Sequence, residues 1–70
     1  SADEFSKVIS NYPQSPKVPD AMLKLGFSYY ELGDWGNARQ TLEQLTQRYP
    51  QSTATQLAQR RLEKMKSEGH

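Results

Sequence analysis

Leu23, Phe27 and Tyr30 stand at offsets 0, 4 and 7, and Glu31 follows them. On a helix that spacing is one stripe, carrying two aromatic rings with a carboxylate at its edge. Such a stripe does recognition chemistry: aromatic rings give large contact area for little loss of side-chain entropy. Covalent chemistry has no comparable set. The chain has no cysteine, and its one histidine, His70, is the last residue. That leaves no thiol nucleophile and no cysteine-based metal site. Ser15 and Ser52 stand where helix caps are needed. The carboxylates are scattered on polar faces, without an apolar pocket to raise a pKa. The expectation is a non-catalytic chain with no cofactor and no metal. The basic residues Arg60, Arg61, Lys64 and Lys66 are interrupted by Glu63 and Glu68, and Arg61 falls near an apolar stripe. They read as a solvated helix face with cations at its C-terminal end, not as a nucleic-acid site.

Four amphipathic segments must position these residues. Their apolar members are Phe5, Val8, Ile9 and Tyr12; then Met22, Leu25, Tyr29 and Leu32; then Ala38, Leu42, Leu45 and Tyr49; then Ala54, Leu57, Ala58, Leu62 and Met65. Each set keeps the helical period, and no segment alternates over strand length, so an all-α chain is expected. Pro13 and Pro50 follow the first and third segments, and proline cannot continue a helix. Ser15 and Ser52 are expected N-caps. The second helix starts either at Pro16 or nearer Val18, with Pro19 in its first turn. Gly33 can take positive φ at that helix's end, and Asp34 can cap the next. Trp35 is placed to pack across this turn. Residues 67–70 are expected to fray. Short loops make neighbouring helices antiparallel.

The segments repeat. Tyr12-Pro13-Gln14-Ser15 returns as Tyr49-Pro50-Gln51-Ser52, an offset of 37 residues that also carries Phe5 onto Leu42, Val8 onto Leu45 and Leu25 onto Leu62. Repetition on this scale signals units that bury their apolar faces against one another. Seventy residues make one domain at most, and a chain this size buries only about 60% of its unfolded surface. A net charge of +1 argues against strong steering to nucleic acid or membrane. No run of eighteen apolar residues is present. No signal-peptide pattern appears at residue 1, and the chain opens inside a helical pattern, as a piece of a longer protein would.

Met22-x2-Leu25-Gly26-x2-Tyr29, then Ala38-x3-Leu42, then Pro50, resembles the tetratricopeptide signature W-x2-L-G-x2-Y, A-x3-F, P. Leu25, Gly26, Tyr29, Ala38 and Pro50 match outright; Met22 and Leu42 are apolar substitutions. The physical expectation is a close helix approach at Gly26 and Ala38, with Leu25, Tyr29 and Leu42 filling the space beside it. The resemblance implies a right-handed α-solenoid of antiparallel hairpins across residues 1–66. Residues 1–12 would be the second helix of a truncated repeat, 19–52 a complete repeat and 53–66 a capping helix. The 37-residue offset puts Glu63 where Gly26 stands, which fits a terminal cap with a polar face.

Asn11 to Lys17, Asp20 to Gly26, Arg48 to Pro50 and Ala58 to Leu62 are together similar to the C-terminal tetratricopeptide domain of the YbgF (CpoB) family. That resemblance implies a periplasmic adaptor of the Tol–Pal system in Gram-negative bacteria, trimerised elsewhere by a coiled coil. It implies contact with TolA and with a peptidoglycan synthase, and a role in coordinating wall synthesis with envelope constriction during division. Related Tyr-Pro-x-Ser turns occur in outer-membrane assembly lipoproteins of the BamD type, which stand as an alternative. In such arrays the first helix of each repeat lines a concave groove, making Leu23, Phe27, Tyr30 and Glu31 the expected partner-binding wall. The stripe has other possible uses: packing against Phe5, Ile9 or the fourth segment, or association between copies. Leu23 and Phe27 stand where a carboxylate-clamping groove would present cations, so a chaperone-tail clamp is not expected.

Overall fold

The computed structural model describes residues 17–70, and among these there are three helices and no strand. α1 spans Lys17–Glu31, α2 Trp35–Arg48 and α3 Thr53–Ser67. The described residues are therefore all-α, as expected; the segment assigned to residues 1–12 and the cap expected at Ser15 lie outside them. All three helices touch one another.

The turns follow from their residues. α1 begins at Lys17, which places Pro19 in the first turn, where its missing N–H is one of those with no helical acceptor. Gly33 takes φ +75°, its N–H bonds the Tyr30 carbonyl at 3.0 Å and the Asp34 N–H bonds the Tyr29 carbonyl at 2.9 Å. These two bonds form a Schellman closure, which needs a residue without a Cβ penalty at that φ. Asp34 then caps α2, accepting from the Asn37 side chain at 2.8 Å and, at 3.4 Å, from its backbone N–H. Ser52 caps α3 by accepting from the Ala54 N–H at 3.2 Å. Between α2 and α3 the Thr55 hydroxyl, itself buried, donates to the Tyr49 carbonyl and lies 3.3 Å from that of Leu45. It adds a donor at the end of α2, where the Leu45 carbonyl also accepts from the Tyr49 N–H and the Tyr49 carbonyl from the Ser52 N–H, each at 3.0 Å.

The core comprises Leu23, Ala38, Leu42, Leu45, Ala54, Ala58 and Met65. Its tightest point is where α1 crosses α2. A methyl group added at Gly26 would stand 2.5 Å from Leu42 Cδ2 and 2.8 Å from Cγ. The close approach at Gly26 is real, and the side chain that fills it is Leu42. Ala38 is fully buried in the same core.

Three expectations need correction. Leu25 was assigned to packing within the repeat, yet it is 48% exposed, while Leu23, assigned to the groove wall, is buried at 9%. The helical stripe that meets α2 and α3 is centred on Pro19, Leu23 and Gly26, so it is rotated from the one the apolar spacing picks out. Gly26 explains the rotation: a glycine adds nothing to an apolar count but marks where two helices come closest. Leu32, the last member of the expected stripe, is 80% exposed. The third correction is the tail. Ser67 completes α3, Gly69 takes φ +86°, its N–H bonds Lys66 at 3.1 Å and the His70 N–H bonds Met65 at 2.8 Å. That is a second Schellman closure, and it holds the last residues in place.

Candidate interaction face between the first and third helices

Phe27 and Tyr30 lie one turn apart on the flank of α1 that meets α3, half-buried and packed against the core. Leu57, Arg61 and Lys64 follow at offsets 0, 4 and 7 on one face of α3, and Glu68 is its C-cap. Where the two faces meet, the Arg61 guanidinium carbon stands 4.2 Å from the Phe27 ring centroid and 4.7 Å from that of Tyr30. The Lys64 ammonium is 5.8 Å from the Tyr30 centroid. Ring quadrupoles attract these cations, each pair contributing about 0.5–1 kcal/mol where solvent reaches it. Leu57 remains 43% exposed beside them.

The far end of the seam is polar and aromatic. The Tyr30 hydroxyl donates to Glu68 Oε1 at 2.6 Å. This hydrogen bond, with partial burial and the Glu68 charge adding to it, pushes the phenol above its ordinary value of 10.0, against the lowering effect of Arg61. Tyr30 also meets Trp35 edge-to-face, with centroids 5.2 Å apart at 70°. Trp35 stacks on His70 at 3.6 Å and 13°. Trp35 thus packs across the turn, as its position predicted, and also against the end of α3.

Of the four residues expected to bind a partner, the structure brings Phe27 and Tyr30 together beneath Arg61, leaves Glu31 exposed, and buries Leu23 in the core. Among the repeat-packing residues, Gly26, Ala38 and Leu42 are buried, Met22 and Tyr29 pack against the core, and Leu25 and Pro50 are exposed. Sequence reasoning missed Arg61 and Glu68 as members of this face. A signal for Arg61 existed, since a cation beside an apolar stripe needs somewhere to put its guanidinium. Glu68 is 38 residues from Tyr30, and nothing local marks that pairing.

A depression of about 540 Å³ opens between α2 and α3 over Leu62 and Met65, with Arg39, Glu43, Glu63 and Lys66 around it. Among the described residues there is no cluster of three histidines or carboxylates able to hold a metal. No described helix is long and apolar enough to cross a membrane.

Residues 20–52 match the family "Tetratricopeptide repeat". The match runs from the fourth residue of α1 through the turn and α2 and ends at the cap of α3, so it supports a tetratricopeptide domain with one repeat at that position. No curated protein and no solved structure matches the chain. Tetratricopeptide repeats are non-catalytic modules that in general mediate binding between proteins, and the all-helical arrangement here agrees with that fold.

Proposed function

We propose that this chain is the partner-binding module of a periplasmic, Tol–Pal-associated adaptor of the YbgF (CpoB) kind. On this reading it contacts a TolA-like envelope protein or a peptidoglycan synthase complex and helps couple wall synthesis to envelope constriction. Support comes from the repeat at residues 20–52 and from the likeness of Asn11 to Lys17, Asp20 to Gly26, Arg48 to Pro50 and Ala58 to Leu62 to that family. The observation that carries the interaction surface is the meeting of α1 and α3, which sets Phe27 and Tyr30 beside Leu57, Arg61 and Lys64 on one accessible face. The test is an amide-shift titration of the labelled chain with a TolA periplasmic segment. Saturable shifts on α1 and α3, weakened in Phe27→Ala and Tyr30→Ala variants that stay folded, are the expected result. Shifts confined to the α2 surface, or none, would overturn it.

Association between copies is the second reading, and the exposure of Leu25 and Leu32 favours it. Leu25 lies on α1 and Leu32 one residue past its end, seven positions apart. Light scattering across a concentration series separates the two: a mass that grows with concentration, and falls back in Leu25→Lys, supports assembly.

A further inference from the structure

We infer that the α1–α3 face selects an acidic protein segment, one that alternates carboxylates with apolar side chains, and that Arg61 is the residue that reads it. The inference rests on the proposal that this face is the contact surface, and it adds the chemistry of the partner.

The argument starts from what covers the aromatic rings. A groove floored by bare Phe27 and Tyr30 would take apolar side chains. Here the Arg61 guanidinium lies over both rings, at 4.2 and 4.7 Å. An arriving partner therefore meets a cation first. The contact places the charge near both rings, and a guanidinium also carries five N–H donors in a fixed fork that matches a carboxylate. The rings also fix the side chain in advance, so less freedom is lost when a ligand binds.

The neighbouring charges agree. Lys64 flanks the same Tyr30 ring, and exposed Arg60 adjoins Arg61 in sequence. Two acids lie close, Glu68 and Glu31. Glu68 accepts from the Tyr30 hydroxyl through Oε1 at 2.6 Å, and among the described residues no hydrogen bond joins either acid to Arg61. Exposed Leu57, one turn before Arg61, supplies the apolar contact between the charges. A chain presenting carboxylates and apolar groups in turn fits this arrangement, and a basic one is repelled by it.

The probe is a blocked peptide of alternating glutamate and leucine, with the lysine-for-glutamate peptide as its counterpart, each titrated into the labelled 70-residue chain. The expected result is saturable shifts at Leu57, Phe27, Tyr30 and the Arg61 side chain with the acidic peptide alone. Binding should weaken at least roughly tenfold in Arg61→Met, which keeps apolar contact with the rings, and by a similar factor when salt rises from about 0.05 M to about 0.5 M. Arg61→Glu should reverse the preference toward the lysine peptide. Lys64→Gln, remote from the core, repeats the charge test if an Arg61 variant does not fold. Equal binding of both peptides, undiminished affinity in Arg61→Met, or shifts mapping to the α2–α3 depression would overturn the inference. A TolA segment that binds Arg61→Met as it binds the parent overturns it too, and leaves the proposed adaptor role standing. Acidic-peptide binding without TolA binding does the reverse.

Discussion

The two seams of α1 are built on opposite principles. Toward α2 the contact is apolar and interlocked: Leu42 fills the space that Gly26 leaves, and a methyl group there would have to displace it. Toward α3 the contact is aromatic and cationic, with Arg61 over Phe27 and Tyr30 and a hydrogen bond at the solvent edge. Buried apolar fit contributes kilocalories per side chain and tolerates little change. Exposed cation–ring pairs contribute fractions of that and leave polar edges to bind something else. The first seam makes the hairpin; the second joins the next helix to it and presents a surface.

Substitutions sharpen that contrast. Leu42→Ala should be the most damaging, costing about 2–5 kcal/mol in urea unfolding, because it empties the Gly26 contact. Gly26→Ala should cost about 1–3 kcal/mol by overpacking, offset by about 1 kcal/mol of helix propensity. Adding Leu42→Val to Gly26→Ala should recover part of the loss, and failure to recover any would place the clash elsewhere. Thr55→Val removes the hydroxyl donor from the Tyr49 carbonyl, which keeps the Ser52 N–H, and should cost about 0.5–1.5 kcal/mol, read from the same melts. The Tyr30 phenol, raised in the fold by its bond to Glu68, gives a pH signature. Stability from that bond is fully present below the unfolded phenol's value near 10, and it is lost as pH rises through the higher folded value. Tyr30→Phe should therefore lose less stability than the parent between neutral and strongly alkaline pH; identical pH profiles would contradict the bond. His70→Ala should change stability least, while altering the emission of Trp35, the chain's single tryptophan.

The same division explains what the sequence could disclose. Helix type, the caps at Asp34 and Ser52 and the turn at Gly33 are local or periodic signals, and each is present in the described residues; the first copy of the Tyr-Pro-Gln-Ser phrase lies outside them. The rotation of α1 was hidden, because Leu25 and Leu23 are equally apolar and only the position of Gly26 against Leu42 decides between them. The interaction face was half legible. Phe27 and Tyr30 share a stripe on one helix, but their cover comes from Arg61 and Glu68 on another, brought there by how α3 packs. The tail looked free because Ser-Glu-Gly-His is polar; its order comes from Gly69 adopting positive φ and from His70 meeting Trp35.

The division of labour between the seams is tested most directly by the urea unfolding free energy of Arg61→Met, measured beside that of Leu42→Ala. A loss of no more than about 1 kcal/mol for Arg61→Met, against several for Leu42→Ala, is the expected outcome. If Arg61→Met destabilises the chain as much as Leu42→Ala does, the cationic seam is structural and its assignment to recognition fails.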